Sequence, residues 1–294
     1  MHGVTRVPRY LAVDVGGTKL DVGVVDGAGS VLARRRAPTR APAEGGGDAL
    51  GEALVALCRE VASEADGVAV VGVGCGGPME GDLVSPLNIP VWRGFPLRAT
   101  LEEALGLPVA VDNDAKALAL GEGWLGAATG VDDYIAMVVS TGVGGGIVLD
   151  GRLLDGALGN AGHIGHVIVE PGGAECGCGA RGCLEAECSG LHLERRLGRP
   201  AAEATPDVVE RTGRLVGRGV ASVCNLLDLR LALVAGSVAL GFGAPFFRAA
   251  QAELDECARL AFSAGAVVRA GGLGPDGPLL GAAAVARRLE AAGA

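Results

Sequence analysis

Four side chains that commonly bind zinc lie within one short segment of the 294-residue sequence: His166, Cys176, Cys178 and Cys183. Imidazole nitrogen and thiolate sulfur are the donors of tetrahedral structural zinc sites. Glycines at 177, 179 and 182 permit the tight turns that such a site requires. A disulfide knot and unconnected core thiols are the alternatives, and the spacing favours zinc over both. Cys188, a few residues further on, is interpreted as a spare thiol rather than a fifth ligand.

Composition narrows the class of protein. Hydrophobic residues make up 49% of the chain and charged residues 20%, which predicts a folded globular protein, and the length predicts two domains. The net charge of −9 argues against nucleic acid and anionic membrane surfaces as partners.

No secretory signal is predicted, because the first residues lack a continuous apolar run followed by a small-residue cleavage site. No membrane span is predicted, because glycines and a proline interrupt the long uncharged run 231–247. Four further cysteines, Cys58, Cys75, Cys224 and Cys257, lie in apolar surroundings and are predicted to be buried, reduced thiols. Both features predict a cytoplasmic protein.

The spacing of apolar residues predicts an architecture that occurs twice. Strands are predicted at 10–15, 20–25, 31–37 and 68–73, with a helix over 50–61 before the last of them. The order of strand, glycine hairpin and strand returns at 134–149, and it is followed by a helix over 209–227, a strand at 231–235 and a helix over 279–289. We therefore predict an N-terminal lobe of residues 1–112, on which the last helix (about 279–294) packs, and a C-terminal lobe of residues 113–278 that contains a zinc-binding loop, 163–188.

Each predicted lobe contains a glycine-rich hairpin, residues 14–19 (Asp-Val-Gly-Gly-Thr-Lys) and residues 141–146 (Thr-Gly-Val-Gly-Gly-Gly). Glycine allows a phosphate to approach backbone N–H groups closely, so both hairpins are candidate phosphate sites, and an ordinary hairpin turn is the alternative. Lys19 is one of only two lysines in a chain rich in arginine, which favours a function for it over a solvated loop charge.

Six motifs together resemble the ROK family of sugar kinases and sugar-responsive repressors, from about residue 10 to the final helix. They are residues 14–19, Gly-Cys-Gly-Gly-Pro at 74–78, Asn-Ile-Pro at 88–90, Asn-Asp at 113–114, residues 141–146, and the segment 163–185. The resemblance implies an α/β protein with the duplicated actin-like, ribonuclease-H-like fold, in which two lobes enclose a cleft.

The resemblance also implies roles for individual residues. Asp114 would be the general base on a sugar hydroxyl, although helix N-capping by Asp112, Asn113 or Asp114 also suits the end of the strand at 109–111. Asp14 would orient water bound to Mg²⁺. The implied phosphate and nucleotide ligands are Gly16, Gly17, Thr18, Lys19, Thr141, Gly142, Gly144, Gly145 and, in the adenosine loop, Gly236. The implied sugar ligands are Asn88, Asn113, His163, His166 and Glu185, with His166 using its second ring nitrogen.

His163 departs from the glutamate that many glucose-phosphorylating ROK proteins have in the Gly-Glu-x-Gly-His motif. A neutral imidazole offers a donor as well as an acceptor, so it suits an acetamido carbonyl. The Gly-His-Ile-Gly-His form resembles that of bacterial N-acetylmannosamine kinases, while packing of His163 beside the zinc loop in a glucose-using enzyme is the alternative.

The resulting hypothesis is an ATP-dependent kinase that acts on the 6-hydroxyl of a hexose or N-acylhexosamine, with N-acetylmannosamine favoured over glucose. ATP, Mg²⁺ and structural Zn²⁺ are the implied cofactors, and a homodimer or homotetramer is the assembly that the family implies. A sugar-responsive regulator is disfavoured, because only 13 residues precede Asp14 and the family's regulators carry a DNA-binding domain there. A non-catalytic sugar-binding protein is disfavoured by the intact Asp114 and glycine hairpins.

Overall fold

The computed structural model describes residues 7–39 and 46–293. Contacts between Cα atoms divide the chain into two compact units. The first contains the described residues up to Leu125, the segment Asp155–Ala161, and the residues from Pro275 onward. The second contains Gly126–Leu154 and Gly162–Gly274.

The first unit is built on a five-stranded sheet. Its strands are β1 (Arg9–Val15), β2 (Lys19–Asp26), β3 (Val31–Pro38), β4 (Val68–Cys75) and β7 (Val109–Asn113), in the order β3-β2-β1-β4-β7. β1, β2 and β3 are antiparallel neighbours, and β4 and β7 are parallel to β1. A small hairpin, β5 (Met79–Glu80) and β6 (Leu83–Val84), lies between β4 and β7 in the chain.

Helices cover both faces of this sheet: α1 (Gly46–Ser63), α2 (Leu97–Leu105), α3 (Asp114–Leu125) and α8 (Gly277–Gly293). Leu54 and Cys58 of α1 join the apolar core on one face. On the other face, Leu279 and Ala282 of α8 pack on β1 and β4. A Cβ at Gly72 of β4 would come within 2.0 Å of the Ala282 carbonyl oxygen, so only glycine admits the α8 backbone there.

The second unit repeats this sheet topology. Its strands are β8 (Tyr134–Val139), β9 (Val143–Leu149), β10 (Arg152–Leu153), β11 (Leu231–Ala235) and β12 (Val267–Ala270), in the order β10-β9-β8-β11-β12. β8 and β9 are antiparallel, while β11 is parallel to both β8 and β12. Its helices are α4 (Leu184–Cys188), α5 (Gly190–Leu197), α6 (Pro206–Leu227) and α7 (Ser237–Cys257). The repeated order confirms the predicted duplicated, actin-like α/β fold.

The division between the units differs from the predicted boundary at residue 112. It follows Leu125, because α3 packs against α8 and therefore belongs to the first unit together with Asp114. The final helix packs on the first unit. Asp155–Ala161 also belongs to the first unit, although the residues on either side belong to the second.

A charge network around the buried Lys116 holds Asp155–Ala161 in the first unit. Lys116 of α3 is 2% exposed, and its Nζ lies 3.0 Å from Asp112 Oδ1 and 2.9 Å from Asp155 Oδ1. It also donates to the Gly159 carbonyl. Arg288 of α8 pairs with Asp155 from the other side at 2.7 Å. Lys116 therefore has a structural role in the first unit.

Two smaller expectations can be compared with the structure. Cys58, Cys75 and Cys224 are buried as predicted, whereas Cys257 is exposed at the end of α7, where the prediction of a buried thiol was wrong. Within residues 7–39 and 46–293, every helix is too short or too polar to cross a lipid bilayer.

Candidate active site

The first glycine hairpin joins β1 to β2. The Gly16 N–H donates to the Lys19 carbonyl, and Thr39 fixes the turn by donating from Oγ1 to the Gly16 carbonyl at 2.7 Å. A Cβ at Gly17 would lie 2.6 Å from the Cβ of Asn88. Glycine at this position therefore lets a proposed phosphate ligand contact a proposed sugar ligand.

Asp14, near the end of β1, is 7% exposed. Its register partner on β4 is Gly74, whose own partner on β7 is Asp112. This arrangement brings Asp14 near the start of α3. Burial, followed by the neighbouring charge of Asp114, raises the pKa of Asp14 to about 7. The negative charge of Asp114 therefore acts on the buried carboxyl group of Asp14.

The junction between β7 and α3 presents Asp114, which is exposed. The Ala115 N–H donates to Asn113 Oδ1 at 3.0 Å and to Asp114 Oδ1 at 2.8 Å. Asp112 accepts from the Asn113 N–H and pairs with Lys116. Asn113 therefore occupies the capping position, and the capping alternative does not require Asp114.

Asn88 is exposed on a loop that a single arginine organises. Nη1 of Arg93 donates to the backbone carbonyls of Pro86, Ile89 and Trp92 at 2.6–3.1 Å. Trp92 is fully buried and anchors the end of the loop. These hydrogen bonds fix the conformation of the loop that carries Asn88.

In the second unit, the predicted metal ligands come together. The donor atoms of His166, Cys176, Cys178 and Cys183 all lie within 4.8 Å of one another. The Sγ atoms of Cys178 and Cys183 are 3.7 Å apart, and zinc–sulfur bonds of about 2.3 Å in a tetrahedron would place them about 3.8 Å apart. A disulfide would require about 2.05 Å, and all eight cysteines are free. The donor set and its dimensions fit a zinc ion and exclude the disulfide knot.

His166 and His163 lie side by side in this unit, with ring centroids 6.0 Å apart. The Nδ1 atom of His166 faces the cluster, 3.7 Å from the Cys176 sulfur. The proposed sugar contact of His166 therefore falls to Nε2. His163 is exposed and precedes the short helical turn Ile164–His166.

Glu185, in the first turn of α4, contacts the second glycine hairpin. Its Oε2 accepts the Val143 N–H at 3.0 Å, and a Cβ at Gly142 would lie 3.0 Å from the same oxygen. A proposed sugar ligand is thereby hydrogen-bonded to a proposed phosphate hairpin, in parallel with the contact between Gly17 and Asn88 in the first unit.

The other glycines of the second hairpin are partly explained by packing. Gly144 and Gly145 lie within β9, opposite Val138 and Met137. A Cβ at Gly145 would lie 3.0 Å from Ile164 Cγ2, so the small size of glycine admits the segment that carries His163.

Two further proposed nucleotide ligands lie at turns. Gly236 has a φ of 99° and lies against the Val139 backbone, at the N-terminus of α7. Thr141 is exposed at the turn between β8 and β9.

Comparison with known proteins decides the family. The model of the ROK family matches residues 10–289. The chain belongs to the ROK family. An N-acetylmannosamine kinase from Citrobacter koseri is 40% identical over 250 residues, a match that covers 79% of this chain and 84% of the relative.

Solved ROK structures are similar to this chain along nearly all of its length. The ROK hexokinase from Thermus thermophilus is 36% identical, with a TM-score of 0.85, and the match covers 97% of this chain and 100% of that one. A ROK family glucokinase from Streptomyces griseus, solved with glucose and AMPPNP, is 31% identical with a TM-score of 0.80. That match covers 95% of this chain and 99% of the glucokinase.

Sequence reasoning missed one charged cluster beside the first hairpin of this ROK protein. Asp21 of β2 is 1% exposed and is surrounded by Lys19, Arg34 and Arg36. An aspartate inside the apolar strand 20–25, followed by an arginine run in the next strand, is the signal that was available.

Proposed function

We propose that this ROK protein is an ATP-dependent sugar kinase that transfers the γ-phosphoryl group to the 6-hydroxyl of a hexose or N-acylhexosamine, with N-acetylmannosamine as its preferred substrate. The observation that carries the proposal is the position of the exposed Asp114 near the buried Asp14, at the carboxyl ends of strands of one sheet, in the unit that holds the β1–β2 glycine hairpin. In the proposed mechanism Asp114 accepts a proton, and Asp14 acts beside the candidate phosphate ligands.

The reaction assigns a distinct step to Asp114. The 6-hydroxyl oxygen attacks the γ-phosphorus of ATP, the new P–O bond forms, and the bond from that phosphorus to the β,γ-bridging oxygen breaks. ADP takes the electron pair of the broken bond. The hydroxyl proton passes to the Asp114 carboxylate, which is exposed and is not required as the helix cap.

The phosphate and metal ligands follow from the two hairpins. Asp14 is proposed to hold a water of hydrated Mg²⁺, whose charge would offset that of the phosphates. The backbone at Gly16, Gly17 and Thr18, with Lys19, and the turn at Thr141 and Gly142 are the proposed phosphate contacts. Gly144, Gly145 and Gly236 are further proposed nucleotide-site residues, and the small size of Gly145 and Gly236 also serves packing.

The proposed hydrogen-bonding partners of the sugar are five polar side chains: Asn88, Asn113, His163, His166 and Glu185. Zinc on His166, Cys176, Cys178 and Cys183 would be structural, because four protein ligands complete its tetrahedron. It would orient the His166 ring and thereby the sugar contact at Nε2.

The choice of sugar rests on relatives and on His163. The curated relatives of 37–40% identity are N-acetylmannosamine kinases. A histidine donor at position 163 suits the acetamido carbonyl of that substrate. Glucose is the second candidate, because the Streptomyces griseus glucokinase, which is 31% identical to this chain, was solved with glucose bound.

A coupled assay of ADP release with ATP and each of four sugars tests the proposal. N-acetylmannosamine should give the highest kcat/KM among N-acetylmannosamine, N-acetylglucosamine, mannose and glucose. Glucose as the best substrate would overturn the specificity but keep the kinase. No ADP release above background with any hexose or N-acylhexosamine would contradict the proposed function.

A further inference from the structure

A buried carboxylate gathers positive charge next to the first glycine hairpin. Asp21 lies opposite Asp14 in the antiparallel β1–β2 ladder and opposite Arg36 in the β2–β3 ladder. Side chains at directly opposed positions share a face of the sheet. Asp14, Asp21 and Arg36 therefore form one row across three strands, on the face that α8 covers.

Arg34 satisfies most of the hydrogen-bonding capacity of Asp21. Its Nε and Nη2 donate to the two Asp21 oxygens at 2.8 and 2.7 Å, and its Nη1 donates to Asp276 just before α8. Burial would raise the pKa of Asp21, but the hydrogen bonds from Arg34 and Arg36 outweigh burial and hold that pKa below its ordinary value. All three side-chain nitrogens of Arg34 therefore donate to Asp21 or Asp276.

Arg36 and Lys19 are held by the same carboxylate but retain unused capacity. Arg36 donates from Nε to Asp21 Oδ2 at 2.8 Å, and its two terminal nitrogens have no hydrogen bond to any residue of 7–39 or 46–293. Lys19 Nζ lies 3.5 Å from the same oxygen. The side chains of Arg36 and Lys19 are 51% and 45% exposed. Lys19, Arg34 and Arg36 face the carboxylates of Asp21 and Asp276, and Asp14 lies in the same row.

We propose that Asp21 is a positioning residue that holds Arg36 and Lys19 as an extension of the first phosphate hairpin, where they bind the phosphate chain of the donor nucleotide. The proposal rests on the proposed kinase function and adds Arg36 to its binding residues and Asp21 to its supporting residues. A guanidinium with four uncommitted N–H donors on its two terminal nitrogens suits phosphate oxygens better than any neutral side chain.

The position of the cluster favours a phosphate over other anions. Lys19 is part of the hairpin itself, and Thr39, just after β3, is bonded to Gly16 and Thr18 of the hairpin turn. The end of β3 that carries Arg36 is therefore fixed to the candidate phosphate loop. Burial and the charge of Asp114 raise the pKa of Asp14, and the positive charge of Lys19 lowers it. Lys19 of this cluster therefore interacts electrostatically with the proposed magnesium ligand.

Arg36→Gln is the primary test, and Arg35→Gln is the matched control. Arg35 is the next residue of the same strand, is 49% exposed, and pairs instead with Glu60 and Glu64. Loss of one charged phosphate contact should raise KM for MgATP about tenfold. KM for the sugar should stay within twofold for both variants, and Arg35→Gln should leave both constants within twofold.

Asp21→Asn separates positioning from simple charge. Removing a negative charge without disturbing the cations should strengthen phosphate binding, whereas losing their anchor should weaken it. We expect KM for MgATP to rise severalfold, and a fall would overturn the positioning role. Thermal melting identifies any variant that is unfolded, and in that case the Arg36→Gln comparison decides.

Calorimetric titration with inorganic tripolyphosphate tests the phosphate contact without turnover. The wild-type protein should bind this probe about tenfold more tightly than Arg36→Gln. Equal affinities, together with a MgATP KM equal to that of Arg35→Gln, would overturn the proposal. If the wild-type protein transfers no phosphoryl group to any sugar, the kinase function fails, while this titration still decides whether the phosphate site exists.

Discussion

Asp14 and Asp114 are electrostatically coupled: burial first and the charge of Asp114 second raise the pKa of Asp14 to about 7, from an ordinary value of 3.8. The coupling arises because β1, β4 and β7 are parallel neighbours, so that the end of β1 lies near the residue that follows β7. A carboxyl group whose pKa is near 7 can lose its proton at physiological pH and then accept a hydrogen bond from a metal-bound water.

This coupling predicts the pH dependence of the free enzyme. Asp14 must be ionised to hold hydrated Mg²⁺, and its pKa lies above its ordinary value, so activity is lost as the pH falls through about 7. A profile of kcat/KM for MgATP against pH should rise to a plateau with an apparent pKa near 7. An acid limb at about 4 would show that Asp14 titrates as an ordinary surface carboxyl group.

Zinc should control the sugar site more than the nucleotide site. Cys183→Ser removes a buried ligand, so bound zinc should fall well below one ion per chain and KM for the sugar should rise about tenfold or more. The control is Cys257→Ser, which changes an exposed cysteine outside the cluster. Metal analysis and steady-state kinetics are the measurements. A zinc-free variant with unchanged sugar KM would disprove the coupling through His166.

The two lysines offer a matched pair for stability. Lys116→Met leaves Asp112 and Asp155 without the buried cation between them and should lower the free energy of unfolding by about 3 kcal/mol. Lys19→Met changes a side chain that is 45% exposed and should change stability by about 0.5 kcal/mol or less. Denaturant unfolding measures both. Equal effects would mean that the Lys116 network does not anchor Asp155–Ala161.

His163 tests the specificity hypothesis. His163→Glu restores the acceptor-only side chain of glucose-phosphorylating ROK proteins, so the ratio of kcat/KM for N-acetylmannosamine to that for glucose should fall about tenfold or more. The exposure of His163 makes a folding defect from this change small. An unchanged ratio would assign His163 to packing beside the zinc loop.

The sequence predicted the fold where patterns were local. Apolar periodicity located β1, β2, β3 and α6 to within a few residues, and ligand spacing identified His166 and the three cysteines before any geometry was known. The end of β7 was recognised as the place of Asp114 because a strand gives way there to a helix. These features depend on neighbours in the chain, which a sequence displays directly.

What the sequence did not predict depends on contacts between distant residues. The boundary at residue 112 was misplaced because α3 is bound to its unit by α8, more than 150 residues later. Asp21 lies inside a strand predicted from its apolar pattern, and the partners of its carboxylate, Arg34 and Arg36, come from the next strand. The packing role of Gly145 required the position of Ile164. Pairings of this kind follow from the tertiary fold rather than from spacing.

The most direct test of the kinase mechanism compares wild-type protein with Asp114→Asn in ATP and N-acetylmannosamine, with the sugar phosphate measured by mass spectrometry. Asparagine keeps the oxygen that accepts the Ala115 N–H, so zinc content and melting temperature should not change. The wild-type protein should form the 6-phosphate, and kcat of the variant should be lower by about a thousandfold. A folded, zinc-loaded Asp114→Asn variant that turns over at nearly the wild-type rate would contradict the assignment of Asp114 as the general base.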